Sequence, residues 1–160
     1  MFYKLRYLFI KSDLKKHIKG HEKFKVVRSK ITPSHNIDDK YNILKTQSKP
    51  FSTTLLNLID QKNLTDVDCY KRANIDRKLF SKIRSNQDYK PSKNTVFAFA
   101  VALKLNSQET NMLLASAGYS LSHSFITDLV VEYFIEKKKF DINLINIALE
   151  EYKQQPLGSF

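Results

Sequence analysis

Arg77, Lys78, Ser81, Lys82 and Ser85 recur at the spacing that brings side chains to one side of an α-helix, while Leu79, Phe80 and Ile83 fall on the other. Guanidinium, ammonium and hydroxyl groups along one such stripe are the chemistry that grips phosphate oxygens and reaches base edges, so nucleic acid is the first partner to consider. The bland alternative is a solvated helix face. Arg84 and Lys90 extend the positive charge just past the stripe.

Other reactive residues are sparse. His17 and His21 have the i, i+4 spacing that can present two imidazoles to a metal, with Glu22 or His35 as a further donor. Gly20 is expected to break the helix between them, and lysines at 15, 16, 19, 23 and 25 to repel a cation, so no metal is expected. Cys69 falls beside core positions of a short helix, with no histidine near it in sequence, and reads as an inert buried thiol. The three glycines form no phosphate-binding loop, and Glu150 with Glu151 fits a solvated helix face. No enzymatic constellation and no cofactor site is apparent.

The chain has 160 residues, 42% of them hydrophobic, enough for one core with extensions. Its formal charge of +11 attracts phosphate backbones, anionic surfaces or an acidic protein. Residues 1–49 carry thirteen Lys/Arg against four acids, and residues 50–160 fourteen against twelve. The excess therefore sits in the N-terminal third, where Lys11, Lys15, Lys16, Lys19, Lys23, Lys25, Arg28 and Lys30 could follow a nucleic-acid backbone as a basic arm. A solubilising face is the plainer reading of the same lysines. A single cysteine suits a reducing, cytoplasmic location. No apolar run is long enough to span a membrane, and MFYKLRYLFIK lacks the pattern of a cleaved leader.

The elements that position these residues follow from periodicity and caps. Tyr3, Leu5, Tyr7 and Phe9 alternate with Lys4, Arg6 and Leu8, which predicts a short strand, and KFKVVRSKI from Lys23 predicts a second. Between them a short helix capped by Ser12 or Asp13 pairs Leu14 with Ile18 and stops at Gly20. Tyr3, Tyr7 and Phe9 could stack on unpaired bases, although packing is the commoner use of such aromatics. Thr32–Pro50 reads as a linker. Five short helices then fit between Phe51 and Tyr119, with starts at Ser52 or Thr53, Thr65, Asp76, Ser92 and Asn106, the last with Glu109 as a capping box; Gly118 ends the fifth. Ser122 and Asp141 start two more, whose apolar stripes either complete the core or pair with a second copy of the chain. PLGSF is expected to fray. The expected divisions are 1–48, 49–121 and 122–160.

The run from Phe51 to Tyr119 resembles the lambda-repressor-like, Cro/C1-type helix-turn-helix family. The resemblance rests on TDVDCYKRANIDRKLFSKI, the Pro91-Ser92 helix start, AFAVALKLN and LLASAGYSLS. It implies a five-helix core, which together with the two C-terminal helices and the basic N-terminal extension, with its short strands, gives a mainly α fold as the expectation. It also implies a DNA-binding regulator whose third helix enters the major groove. By position, Asp76, Arg77, Lys78, Ser81 and Lys82 would then meet DNA, with Arg77 reading guanine bidentately and Lys78 and Lys82 on phosphates. The chain differs from the family pattern at Asp66, Asp68 and Tyr70 in the second helix and at Arg84 and Asn86 after the third. Asp66, Asp68 and Tyr70 keep a second expectation open, a module that reuses the fold and its basic face to bind an acidic protein as an adaptor, antitoxin or inhibitor. RNA binding led by the basic segment is a third.

Overall fold

The computed structural model describes the backbone of residues 2–28 and 49–158 and the side chains of 2–21 and 49–158. Among the described residues every regular element is a helix: α1 (Phe2–Arg28), α2 (Phe51–Gln61), α3 (Asp66–Arg72), α4 (Arg77–Ser85), α5 (Lys93–Ala102), α6 (Ser107–Ser116), α7 (Ile126–Glu136) and α8 (Ile142–Glu151).

The mainly α expectation holds, but the N-terminal strands do not form. Tyr7, Ile10, Leu14 and Ile18, spaced three or four apart, are buried, and this helical repeat prevails over the alternation of residues 3–9. Of the residues that produced the alternation only Tyr7 is buried; Tyr3, Leu5 and Phe9 face solvent, as do Phe2 and Leu8. Gly20 lies inside the helix rather than ending it, with nothing within 4 Å of where its Cβ would be. Its cost of about 1 kcal/mol is small beside the buried face preceding it. Lys23–Arg28 of the second expected strand is helical as well; residues 29–31 and most of the linker lie outside the described residues.

The local start signals of the middle helices act as their residue types dictate. Thr65 accepts from the Asp68 N–H at 3.1 Å, Asp76 from Leu79 at 2.9 Å, Ser92 from Thr95 at 3.2 Å, and Asn106 with Glu109 closes a reciprocal box. Asp141 caps α8 through the Asn143 and Leu144 N–H groups. Two starts differ from expectation. α2 begins at Phe51 directly after Pro50, without a side-chain cap. α7 begins at Ile126 rather than at Ser122, because the Asp128 carboxylate holds the preceding turn by accepting from the Ser122 N–H at 2.7 Å. Five helices end on left-handed residues other than glycine: Asn63, Asn74, Lys104 and Lys138 at φ 52° and Lys153 at φ 56°.

α5 is the central helix: Thr95 to Ala102 are all buried. Its near-continuous apolar sequence follows from having neighbours on every side. α2, α3 and α6 pack around it, and α7 and α8 are covered by α1. The stripe of α7 (Leu129, Val130, Tyr133, Phe134) and that of α8 (Ile145, Ala148, Leu149) are therefore buried within the chain, in one apolar cluster with α1. The tail is docked as far as Gly158, not frayed. Leu157 is fully buried, its N–H donates to Asn146 Oδ1 at 2.8 Å, and Asn146 Nδ2 donates to its carbonyl at 3.2 Å. Gly158 adopts φ +92°, and a Cβ there would lie 2.8 Å from the Asn74 carbonyl oxygen.

Two ion pairs edge the α1 seat, Arg6 to Asp141 at 3.0 Å and Lys11 to Glu151 at 2.5 Å. The Lys11 ammonium holds the Glu151 carboxyl below its usual range against the opposing effect of burial. A depressed carboxyl contributes stability that is present above the unfolded value of about 4.3 and is lost as pH falls through the folded one. Lys11→Met should therefore remove this contribution at pH 7, where it is fully present, and shift acid unfolding to higher pH, followed by helical circular dichroism during acid titration. An unchanged acid midpoint would show that the pair plays no part.

Candidate nucleic-acid interface

α3 and α4 form a compact pair because each boundary is locally enforced. α3 ends on Ala73 and left-handed Asn74, buried Ile75 anchors the connection, and Asp76 caps α4. Cys69, Ala73, Phe80 and Ile83 point into the core. The opposite side of α4 presents Arg77, Lys78, Ser81, Lys82 and Ser85, all exposed, as the spacing requires. Lys90, in the segment that follows, is exposed too, and the Lys82 ammonium lies 5.5 Å from the Tyr89 ring centroid.

Residues that depart from the family pattern have partners inside the pair. Arg84 forms an ion pair with Asp66, tying the end of α4 to the start of α3. Arg84 is thereby engaged within the protein, and the Asp66 charge that would oppose a phosphate is countered. Asp68 accepts from the Thr65 hydroxyl at 2.7 Å at the start of α3. Tyr70 packs its ring against Phe80, centroids 5.5 Å apart, filling the contact that a small residue would leave open. Sequence reasoning weighed Asp66, Asp68 and Arg84 for their effect on a partner and Tyr70 for the approach of the two helices, and missed the Asp66–Arg84 pair.

The other sequence-derived positions are placed as follows. Lys15 and Lys16 are exposed on α1, which over residues 2–21 is a helix seated on the core and not a free arm. Lys23, Lys25 and Arg28 continue the helical backbone, with side chains outside the described residues. Cys69 is fully buried, and burial pushes its thiol up to about 12, so it is no nucleophile at neutral pH.

Protein-family models, curated proteins and solved structures provide no match to this chain. The α3–α4 surface is thus interpreted from its own residues. Among the described residues, no helix is long and apolar enough to cross a membrane.

The continuity of α1 through Gly20 also overturns the reason for discounting its histidines. His17 and His21 share a helix face, their ring centroids 4.8 Å apart, and meet His123 and Glu132 from the far end of the chain. Glu22 and His35, the donors suggested by sequence proximity, have side chains outside the described residues. No local pattern links residue 21 to residue 123. Only the packing of α1 on α7 brings them together.

Proposed function

We propose that this chain is a DNA-binding regulator of the Cro/C1 helix-turn-helix kind, with α4 inserted in the major groove. The observation that carries this reading is the α4 face: three basic and two hydroxyl side chains, all exposed, on a short helix whose opposite face is locked into the core. Such a helix can enter a groove about 12 Å wide without losing its own packing. The Asp66–Arg84 pair and the Thr65–Asp68 contact support it further, since they give the acids of α3 a role inside the pair and so weaken the case for an acidic-protein partner. On this reading Arg77 reads a base pair, Lys78 and Lys82 hold phosphates, and Lys90, Lys15 and Lys16 add charge that salt screens.

The test uses the full chain, because α1 is part of the core. Fluorescence anisotropy on duplex fragments selected from random sequence, across a salt series, should give tight binding that weakens steeply with salt. Arg77→Ala should cost about 1–3 kcal/mol and relax preference at one base pair, whereas Lys78→Ala should weaken all duplexes alike and lower the salt slope by about one. Absence of duplex binding at low salt would overturn the proposal and leave an acidic protein or RNA as the partner to pursue.

A further inference from the structure

We infer that His17, His21, His123 and Glu132 form a binding site for a divalent transition-metal ion of the Zn2+ class, clipping α1 to α7. Three of the chain's four histidines meet here, from two segments a hundred residues apart. The donor atoms of His17, His21 and Glu132 all lie within 4.8 Å of one another. His123 completes the group: its Nε2 lies 3.0 Å from Glu132 Oε2, and its ring centroid is 4.2 Å from that of His21. Donors at 2.0–2.2 Å from a tetrahedral Zn2+ are about 3.3 Å apart, so these side chains need to close by at most about 1.5 Å.

Two buried atoms point to a cation and not merely to a cluster of ion pairs. His17 Nε2 and Glu132 Oε2 face each other at 3.8 Å, both shielded from solvent; His17 Nε2 has no hydrogen-bond partner among the described residues, and the Glu132 carboxylate is met only by His123 Nε2, at 3.0 Å from Oε2 and 3.1 Å from Oε1. The His17 ring lies between the Glu132 and Glu136 carboxylates, with its side chain only 15% exposed. A metal ion satisfies both atoms at once. The other ring nitrogen, Nδ1, lies 4.0 Å from Glu136 Oε2, and a carboxylate on the far nitrogen is the usual way a metal-bound imidazole is oriented.

Two of the α1 lysines nearest in sequence point away from this site. At 100° per residue, Lys15 and Lys19 lie about 160° around the helix from His17, and both are exposed. Glu132 and Glu136 supply the local charge instead. Three imidazoles and one carboxylate favour Zn2+, Co2+ or Ni2+ over Mg2+ or Ca2+, and four protein donors make a closed, structural site rather than a hydrolytic one.

The full-length protein, stripped with a chelator, should bind one equivalent of Co2+ with the visible absorption of a tetrahedral ion, and Zn2+ should displace it. Zn2+ should also delay thermal unfolding; at free metal about a hundred times Kd the unfolding equilibrium constant falls about 100-fold. His123 stands on a turn and is 42% exposed, so His123→Gln should fold normally. It and His21→Gln should lose the absorption and the thermal response while keeping the helical spectrum of the metal-free protein, and His35→Gln should retain both. Zn2+ binding undiminished in the first two variants, or no saturable binding at micromolar Zn2+, overturns the assignment.

Discussion

Leu14→Ala is expected to cost about 2–5 kcal/mol of folding stability, the range for truncating a fully buried leucine. Leu14 has no solvent exposure and lies between Ile10 and Ile18 on the face that α1 lays over α7 and α8. Its loss removes three heavy atoms from a contact that close packing leaves little room to repair. Because the buried residues of α1 belong to the same cluster as those of α5, the loss should appear in one cooperative urea transition and not as separate melting of the N-terminal helix. Phe9→Ala is the matched control: Phe9 is 81% exposed and should change stability by less than about 0.5 kcal/mol. A Leu14→Ala effect as small as that of Phe9→Ala would mean that α1 is not seated as described.

Asp128→Ala should be comparably damaging, at about 3 kcal/mol. The carboxylate is 2% exposed and serves two donors, the Ser122 N–H at 2.7 Å and the Lys93 ammonium at 2.5 Å. Lys93 also donates to the Ser120 carbonyl at 2.7 Å, so this one acid ties the turn before α7 to the start of α5. Its removal strands the part-buried Ser122 N–H and leaves the ammonium without its counter-charge. Losing a partner from a fully buried pair costs about 3–5 kcal/mol, and Lys93, 22% exposed, keeps some access to water, which places the effect at the lower end. Denaturant unfolding of Asp128→Ala, Lys93→Met and the double variant gives the coupling directly. Additive losses would show that the two side chains act independently.

Asp128 illustrates what could and could not be read from the residues alone. The starts at Thr65, Asp76, Ser92, Asn106 and Asp141 were legible because a cap is settled within three residues. The start of α7 was not, because Ser122 resembles a cap while the Asp128 carboxylate engages its backbone N–H and, from α5, Lys93. At the N-terminus two periodicities overlapped. The repeat of Tyr7, Ile10, Leu14 and Ile18 has meaning only once α7 and α8 are there to cover it, whereas the alternation of residues 3–9 is conspicuous in a short window. The outward side of α4 was legible from spacing. The Asp66–Arg84 pair was not, since the residues lie eighteen apart and on different helices. The histidine cluster lay beyond local reasoning altogether, as half of it comes from α7 and the turn before it.

The left-handed ends of the helices bear on how this protein can change over evolutionary time. A side chain in that conformation costs about 1–2 kcal/mol, and the greater freedom that glycine loses on folding offsets roughly half of the gain from replacing it. Asn63, Lys104, Lys138 and Lys153 are exposed and sit on separate helix ends, so each can be exchanged without disturbing the others. The chain thus carries a dispersed reserve of stability outside α4. A lineage that draws on it can tolerate costly substitutions on the α4 face, and so acquire a new recognition surface while keeping the same core.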